Sequence, residues 1–322
     1  MSWQDYPTLK LLIQAAKKLE VDYQIVGKLG FVRFQKGPRL AYVYRTKTSL
    51  NSYVSVYLSE SKYLASKILQ EAGLPSPTYR IFSNPSSVLK AARNLGFPLV
   101  VKPNIGSQGN GVTANINSED ELLVAVELAQ KFHHKTALSP FFPGEDYRLL
   151  VLNHELIAAI KRRPPKIKGD SQRTIRALIR QENQKRKCLN QTRFVPLMMI
   201  KIDQETKRCL HRAGLKLTSI LPLKKTLFLR TNANWSSGGT ATTLNLDEFH
   251  PEIKKAAIKA NQLLGLRFAG LDFIIKDIQK PLAKGNGIIL EINSAPAIGV
   301  FHQPASGEPQ KVAQRMLKAM LA

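Results

Sequence analysis

The most constraining feature of this chain is a pair of apolar stretches near its end, each carrying an acid. "AGLDFII" places Asp272 in an otherwise apolar run, and "IILEINSAPAIG" places Glu291 and Asn293 in another. Both runs have the length and composition of strands. Side chains two apart on a strand point the same way, so Glu291 and Asn293 share a face and Leu290 and Ile292 take the other. An acid inside an apolar strand is costly unless it is paired or bound to metal. Three hard oxygen donors on two strands suit Mg²⁺, which takes few protein ligands and completes its shell with water and phosphate. The plainer alternative is that all three are edge residues facing water.

A second feature lies earlier. The strand Leu99-Val100-Val101 ends at Lys102 and runs into a loop with Gly106, Ser107, Gln108, Gly109 and Gly111. Glycine allows backbone N–H groups to approach phosphate oxygens closely. The spacing fits neither a Walker A loop nor a dinucleotide fingerprint. The next residues, "VTANI", read as a strand, which makes the loop the tip of a hairpin, a flap in place of a helix start. A third stretch, "LRTNANWSSGGTAT", combines Arg230, Asn232 and Asn234 with a hydroxyl- and glycine-rich turn suited to an anion or acyl oxygen.

Between these stretches the periodicities alternate. Helical spacing marks "PTLKLLIQAAKKLEV", "SESKYLASKILQEAG" with Ser59 as its cap and Gly73 as its stop, "SSVLKAARNLG", "SEDELLVAVELAQKF" with a Ser118–Glu121 capping box, "RTIRALIRQENQKR", "PEIKKAAIKANQLLG" and "EPQKVAQRMLKAML". Short strands broken by glycine fill residues 22–46, and "DYRLLVLNHELIAAIKRR" reads as a hairpin turning at Asn153-His154. With no clean βαβ repeat, the chain reads as α/β or α+β in several lobes.

The formal charge is +25, and it is uneven: residues 161–230 carry 20 lysines and arginines against four acids. Such a region favours anionic partners, or serves only as a solvated surface. The two cysteines, Cys188 and Cys209, are too few for a disulfide framework. The sequence has no apolar run of transmembrane length and no signal-peptide pattern at its start, which leads to the expectation of a cytoplasmic protein with free thiols. The six histidines show no metal spacing, and no Cys/His pair is placed for nucleophilic work.

Together these residues resemble the ATP-grasp carboxylate–amine ligases. The ordered stretches "PGEDYRLLVLNHELIAAIKRRPPKIKGDSQRTIRALI", "LRTNANWSSGGTAT", "GLRFAGLDFIIKDIQKPL" and "ILEINSAPAIGVFHQPASGEP" are similar to the ATP-grasp part of cyanophycin synthetase and of fused glutathione synthetases. The resemblance covers roughly residues 58 to 322. It implies an ATP-grasp fold with a short N-terminal α/β segment, residues 1–57, and an ATP-grasp domain over 58–322. Within that domain it implies a flap-bearing lobe at about 76–138, a basic inserted lid at about 161–230 and metal-binding strands in 231–322.

The resemblance further implies that Lys62, Lys102, Gly106, Ser107, Gln108, Gly109, Gly111 and Asp146 bind ATP, with Asp146 near the ribose. It assigns Arg148 and Arg230 to the phosphates or acyl phosphate. Asp272, Glu291 and Asn293 would hold Mg²⁺, two ions in the usual arrangement, with Mn²⁺ as a substitute. The implied reaction joins an amine or amino acid to a peptide-like carboxylate through an acyl phosphate, with an acidic substrate recruited by residues 161–230. A homodimer is common among relatives. The alternatives are an ATP-grasp kinase, or a non-catalytic basic scaffold binding nucleic acid, which a retained metal triad argues against. Two positions depart from the family pattern: Ser139-Pro140 stands where a glutamate is usual, and Ala297 where a glycine is usual. The large extra domains of cyanophycin synthetase are not in this sequence, so cyanophycin itself is not the expected product.

Overall fold

The computed structural model describes residues 5–27, 30–106, 109–283 and 285–322, with the side chains of Pro85 and Ser86 left aside. Ser107 and Gln108 of the glycine loop therefore lie outside the described residues. Two compact units are present. One comprises residues 1–79, 142–161 and 242–322, and the other residues 80–141 and 162–241.

The first unit is organised by a five-stranded sheet in the order Thr240–Leu244, Glu155–Arg163, Glu145–Leu152, Phe268–Ile275, Gly287–Asn293. The Glu145–Leu152 and Glu155–Arg163 strands form the expected hairpin. Its two turn residues, Asn153 and His154, both have positive φ, at 47° and 64°, as a two-residue turn matching the strand twist requires. One face of the sheet is apolar. Tyr147, Leu149, Leu271, Phe273, Ile289 and Ile292 point into a core closed by helices Lys62–Glu71 and Pro251–Leu263.

Strict alternation would not put Ile289 and Ile292 on one face. The register explains it: Asp272 pairs with Glu291 but Phe273 pairs with Ile289, so Leu290 is an extra residue, a β-bulge. The bulge returns Ile289 to the core while leaving Glu291 and Asn293 on the opposite face. The expected sharing of a face by Glu291 and Asn293 holds, and the face taken by Ile289 is set by the bulge.

The N-terminal residues form helix Pro7–Lys18 and an antiparallel meander, Asp22–Val26, Phe31–Lys36, Arg39–Tyr44 and Lys47–Thr48. That helix packs on the closing helix Val312–Met320. Helix Lys62–Glu71 begins two residues later than its sequence suggested. Ser61 is the cap, its hydroxyl accepting from Leu64 N, while Ser59 belongs to a separate helix, Tyr53–Glu60, capped by Ser52. Gly73 ends helix Lys62–Glu71 at φ +77° as expected.

The second unit has a four-stranded antiparallel sheet in the order Arg80–Phe82, Thr136–Pro140, Leu99–Pro103, Thr113–Ile116. Helices Pro85–Leu95 and Glu119–Gln130 cover it, burying Val88, Ala92, Leu122 and Val126 against Leu99 and Val101. A second apolar cluster, built from Ile175, Leu178, Ile179, Leu210 and Leu221, supports helices Ile175–Asn190 and Gln204–Arg212 and the small ladder Lys166–Lys168/Thr226–Phe228. Among the described residues no helix is long and apolar enough to cross a membrane.

Candidate active site

The polar face of the first unit's sheet holds one continuous row. Asp272 lies directly opposite Arg148 on one neighbouring strand and Glu291 on the other. Residues in register across antiparallel strands share a face, so these three side chains meet. Arg148 forks onto Asp272, with Nε to Oδ1 at 2.6 Å and Nη2 to Oδ2 at 2.7 Å. Both are buried in effect: the Asp272 side chain is 2% exposed and that of Arg148 16%. This is the bidentate, charge-assisted geometry in which a guanidinium compensates a buried carboxylate.

Two carboxylates facing each other repel. Asn293, in the next row, moderates this by donating from Nδ2 to Asp272 Oδ2 and to Glu291 Oε1, both at 3.4 Å. Gly270 pairs with Asn293, and a Cβ there would press on Pro296 at 2.9 Å. The Ser294–Ala297 turn therefore lies over this face because position 270 has no side chain. Tyr79 donates to the carbonyl of the bulged Leu290 at 3.2 Å, and burial, with the Glu291 charge beside it, pushes its phenol well above the usual range.

The donor set suits a hard divalent cation: two carboxylates in register and a carboxamide one row away, on a rigid sheet. Among the described residues no group of three His, Cys, Asp or Glu side chains is placed to hold a metal, and the oxygen-bearing side chains gathered here are two carboxylates and the Asn293 carboxamide. Asp146 stands on the same strand face, two residues from Arg148 and opposite Ile274. Lys62 is the first residue of helix Lys62–Glu71 and shares a small cavity with Glu291 and Ser66.

Asn51 was not singled out in the sequence. Its carboxamide donates to Phe268 O at 2.7 Å and to Ser294 O at 3.0 Å, and accepts from Arg267 N and Phe268 N. It ties the start of the Asp272 strand to the turn after Asn293. Nothing local marks it, because its partners lie more than 200 residues away.

In the second unit, Lys102 is 4% exposed on the Leu99–Pro103 strand. The hairpin glycines differ in need. Gly109 and Gly111 have φ of +69° and +68°, and a Cβ on Gly111 would come within 2.7 Å of Phe132. A Cβ on Gly109 would fall inside the Asn234 carboxamide, whereas at Gly106 the nearest atom is 3.7 Å away. Asn234 thus brings the "NANWSSGG" stretch against the flap hairpin. That stretch is a single 3-10 turn, Trp235–Ser237, ended by Gly238 at φ +96°.

Arg230 pairs with both oxygens of Asp203, at 2.9 and 2.8 Å. Burial raises the Asp203 carboxyl, but Arg230 and Thr206 outweigh it and hold it below the usual range. Arg208 forks onto Glu205 and donates to Ala114 O at 3.0 Å, and Arg212 binds Glu121. These contacts fasten helix Gln204–Arg212 to the flap hairpin and its helix. Glu121 is thereby drawn from half of its capping box: Ser118 caps Glu121 N as expected, but the Glu121 carboxylate accepts from Asn117 N and Arg212. Ser139 is buried in the Thr136–Pro140 strand.

Comparison with known proteins agrees with this architecture. Residues 59–202 match the model of the RimK-like ATP-grasp domain. Cyanophycin synthetase of Crocosphaera subtropica is 32% identical over 313 residues, 95% of this chain and 35% of the relative. The glutathione biosynthesis bifunctional protein of Desulfotalea psychrophila is 28% identical over 316 residues, 97% of this chain and 40% of the relative. The crystal structure of a bifunctional glutathione synthetase from Pasteurella multocida superposes with a TM-score of 0.68 at 25% identity, covering 99% of this chain and 44% of that one. The chain spans 35 to 40% of the length of these curated relatives.

Proposed function

We propose that this ATP-grasp protein is an ATP-dependent carboxylate–amine ligase that works through an acyl phosphate on a peptide-like, acidic carboxylate. The observation that carries the reading is the row Arg148–Asp272–Glu291 with Asn293 beside it. Two opposed carboxylates, one of them buried, are costly for a protein that only needs to fold.

In this reading Asp272, Glu291 and Asn293 hold Mg²⁺, which supplies charge stabilisation to the transferring phosphoryl group when bound. Lys102 contributes a fixed positive charge for the ATP phosphates, and Gly106, Gly109 and Gly111 keep the flap backbone open to them. Lys62 and Asp146 serve the nucleotide, Asp146 as acceptor for a ribose hydroxyl. Arg148 and Arg230 offset charge on the reacting phosphoryl oxygens. A carboxylate oxygen attacks the γ-phosphorus and ADP leaves. An amine then attacks the acyl carbon, phosphate departs and the amine loses its proton. Relatives named as synthetases support this class, and the cationic 161–230 region supports an acidic substrate.

The test is an ADP-release screen with MgATP against amino acids and acidic peptides in pairs. Release that needs both an acid and an amine is expected, and Glu291→Gln and Lys102→Ala should each abolish it. Undiminished turnover in both variants contradicts the assignment.

A further inference from the structure

The second unit contains a cavity of about 350 Å³ between the Lys166–Lys168 strand and helix Ile175–Asn190. It is far from neutral. Lys166, Lys168, Lys185 and Arg186 line it, against one acid, Glu182. Glu182 is spent: it accepts from Arg186 Nε at 3.1 Å. Pro165 and Leu178 supply an apolar wall.

Arg186 gives the cavity a fixed base. It is 3% exposed, and its Nη1 donates to Met198 O at 2.6 Å and to Gly238 O at 2.8 Å. Its Nη2 makes no hydrogen bond among the described residues. The three lysines are exposed, and their ammonium groups make no hydrogen bond or ion pair among the described residues. Four cations thus surround a space of ligand size with a single, committed counter-charge. Lysines crowded this way repel one another, and an anion relieves that repulsion. The volume suits a small molecule or the end of a chain.

We propose that this cavity is a binding site for a small anion carrying at least two acid groups, held by Lys166, Lys168 and Lys185 over the Arg186 guanidinium. This deepens the reading of an acidic substrate for the 161–230 region and rests on it only for the identity of the ligand, since the site stands on its own lining. The anionic oxygens belong to carboxylates or to phosphates. Arg186 also bonds the carbonyl of Gly238, in the turn whose Asn234 abuts the flap glycine Gly109, so an occupied cavity braces that turn.

The experiment is calorimetric titration of the full chain, without added Mg²⁺, with tricarballylate and with inorganic pyrophosphate. The wild type should bind at least one, and the tighter probe identifies the acid chemistry. Lys166→Ala/Lys185→Ala should weaken binding by about tenfold or more, as loss of charge-assisted bonds implies. Lys187→Ala/Lys216→Ala removes the same charge from exposed positions outside the cavity and should change binding by less than about twofold. Lys102→Ala should lose ADP release yet keep tricarballylate binding, which separates failure of this site from failure of the ligase reading. Absence of binding to both probes, or equal weakening in the two double variants, overturns the proposal.

Discussion

The two units handle charge in opposite ways. In the first, Asp272 is buried and paired: Arg148 covers it with two hydrogen bonds, and Asn293 bridges it to the partly buried Glu291. In the second, residues 162–241 carry most of the chain's excess of cations. Several are tied into ion pairs, and the lysines of the cavity are exposed. A buried ion pair fixes geometry because removing one partner leaves a charge unpaired. An exposed excess fixes little geometry, but it sets a potential that gathers anions. In the proposed ligase reading, the first arrangement positions the reaction and the second recruits an anionic substrate for it.

Three perturbations sharpen this contrast. The largest effect on stability is expected at the buried row. Arg148→Met leaves the Asp272 carboxylate uncompensated and should cost about 3–5 kcal/mol in denaturant unfolding. Adding Asp272→Asn to that variant should recover much of the loss. Mg²⁺ should raise the melting temperature of Arg148→Met more than that of the wild type, since a cation at the carboxylates replaces the lost guanidinium. An unchanged unfolding midpoint in Arg148→Met would mean the row is not the tight pair described.

A middling effect is expected where the second unit braces its hairpin. Gly109→Ala forces a left-handed backbone on a residue with a Cβ and displaces Asn234, at about 1–2 kcal/mol. Asn234→Gly should relieve the steric part but not the backbone part. Gly106→Ala, which meets nothing close, should leave the unfolding midpoint in place.

The last effect shows only as a pH dependence and comes from a single titrating group. His302 accepts from Ala313 N at 3.0 Å, and burial lowers its pKa to about 4. A His of ordinary pKa in the unfolded chain binds its proton first as pH falls. The contribution is therefore complete above about pH 6.5 and is lost between there and about pH 4. His302→Gln should flatten the pH dependence of the melting temperature across that window, and an unaltered slope would show that His302 does not set it.

Much of this was legible in the sequence, and what escaped has physical causes. The hairpin at Asn153-His154, the Gly73 stop and the Asp272, Glu291 and Asn293 face come from local periodicity and turn chemistry. The helix Tyr53–Glu60 did not, because "YVSVYLSE" is rich in residues that favour strands and is capped by Ser52 and held by Ser55 to Gly265 O. The Leu290 bulge arises from pairing with a distant strand. The Arg148–Asp272 fork spans 124 positions and the Asn51 clamp 217 and 243, so neither leaves a local trace.

The central claim is that a carboxylate oxygen of the substrate attacks ATP before the amine does. Once the screen supplies a substrate pair, the carboxylate is labelled with ¹⁸O and the released phosphate is analysed by mass. The account predicts one ¹⁸O atom transferred to inorganic phosphate for each amide formed. Unlabelled phosphate, or a stable phosphorylated product in place of an amide, would contradict it.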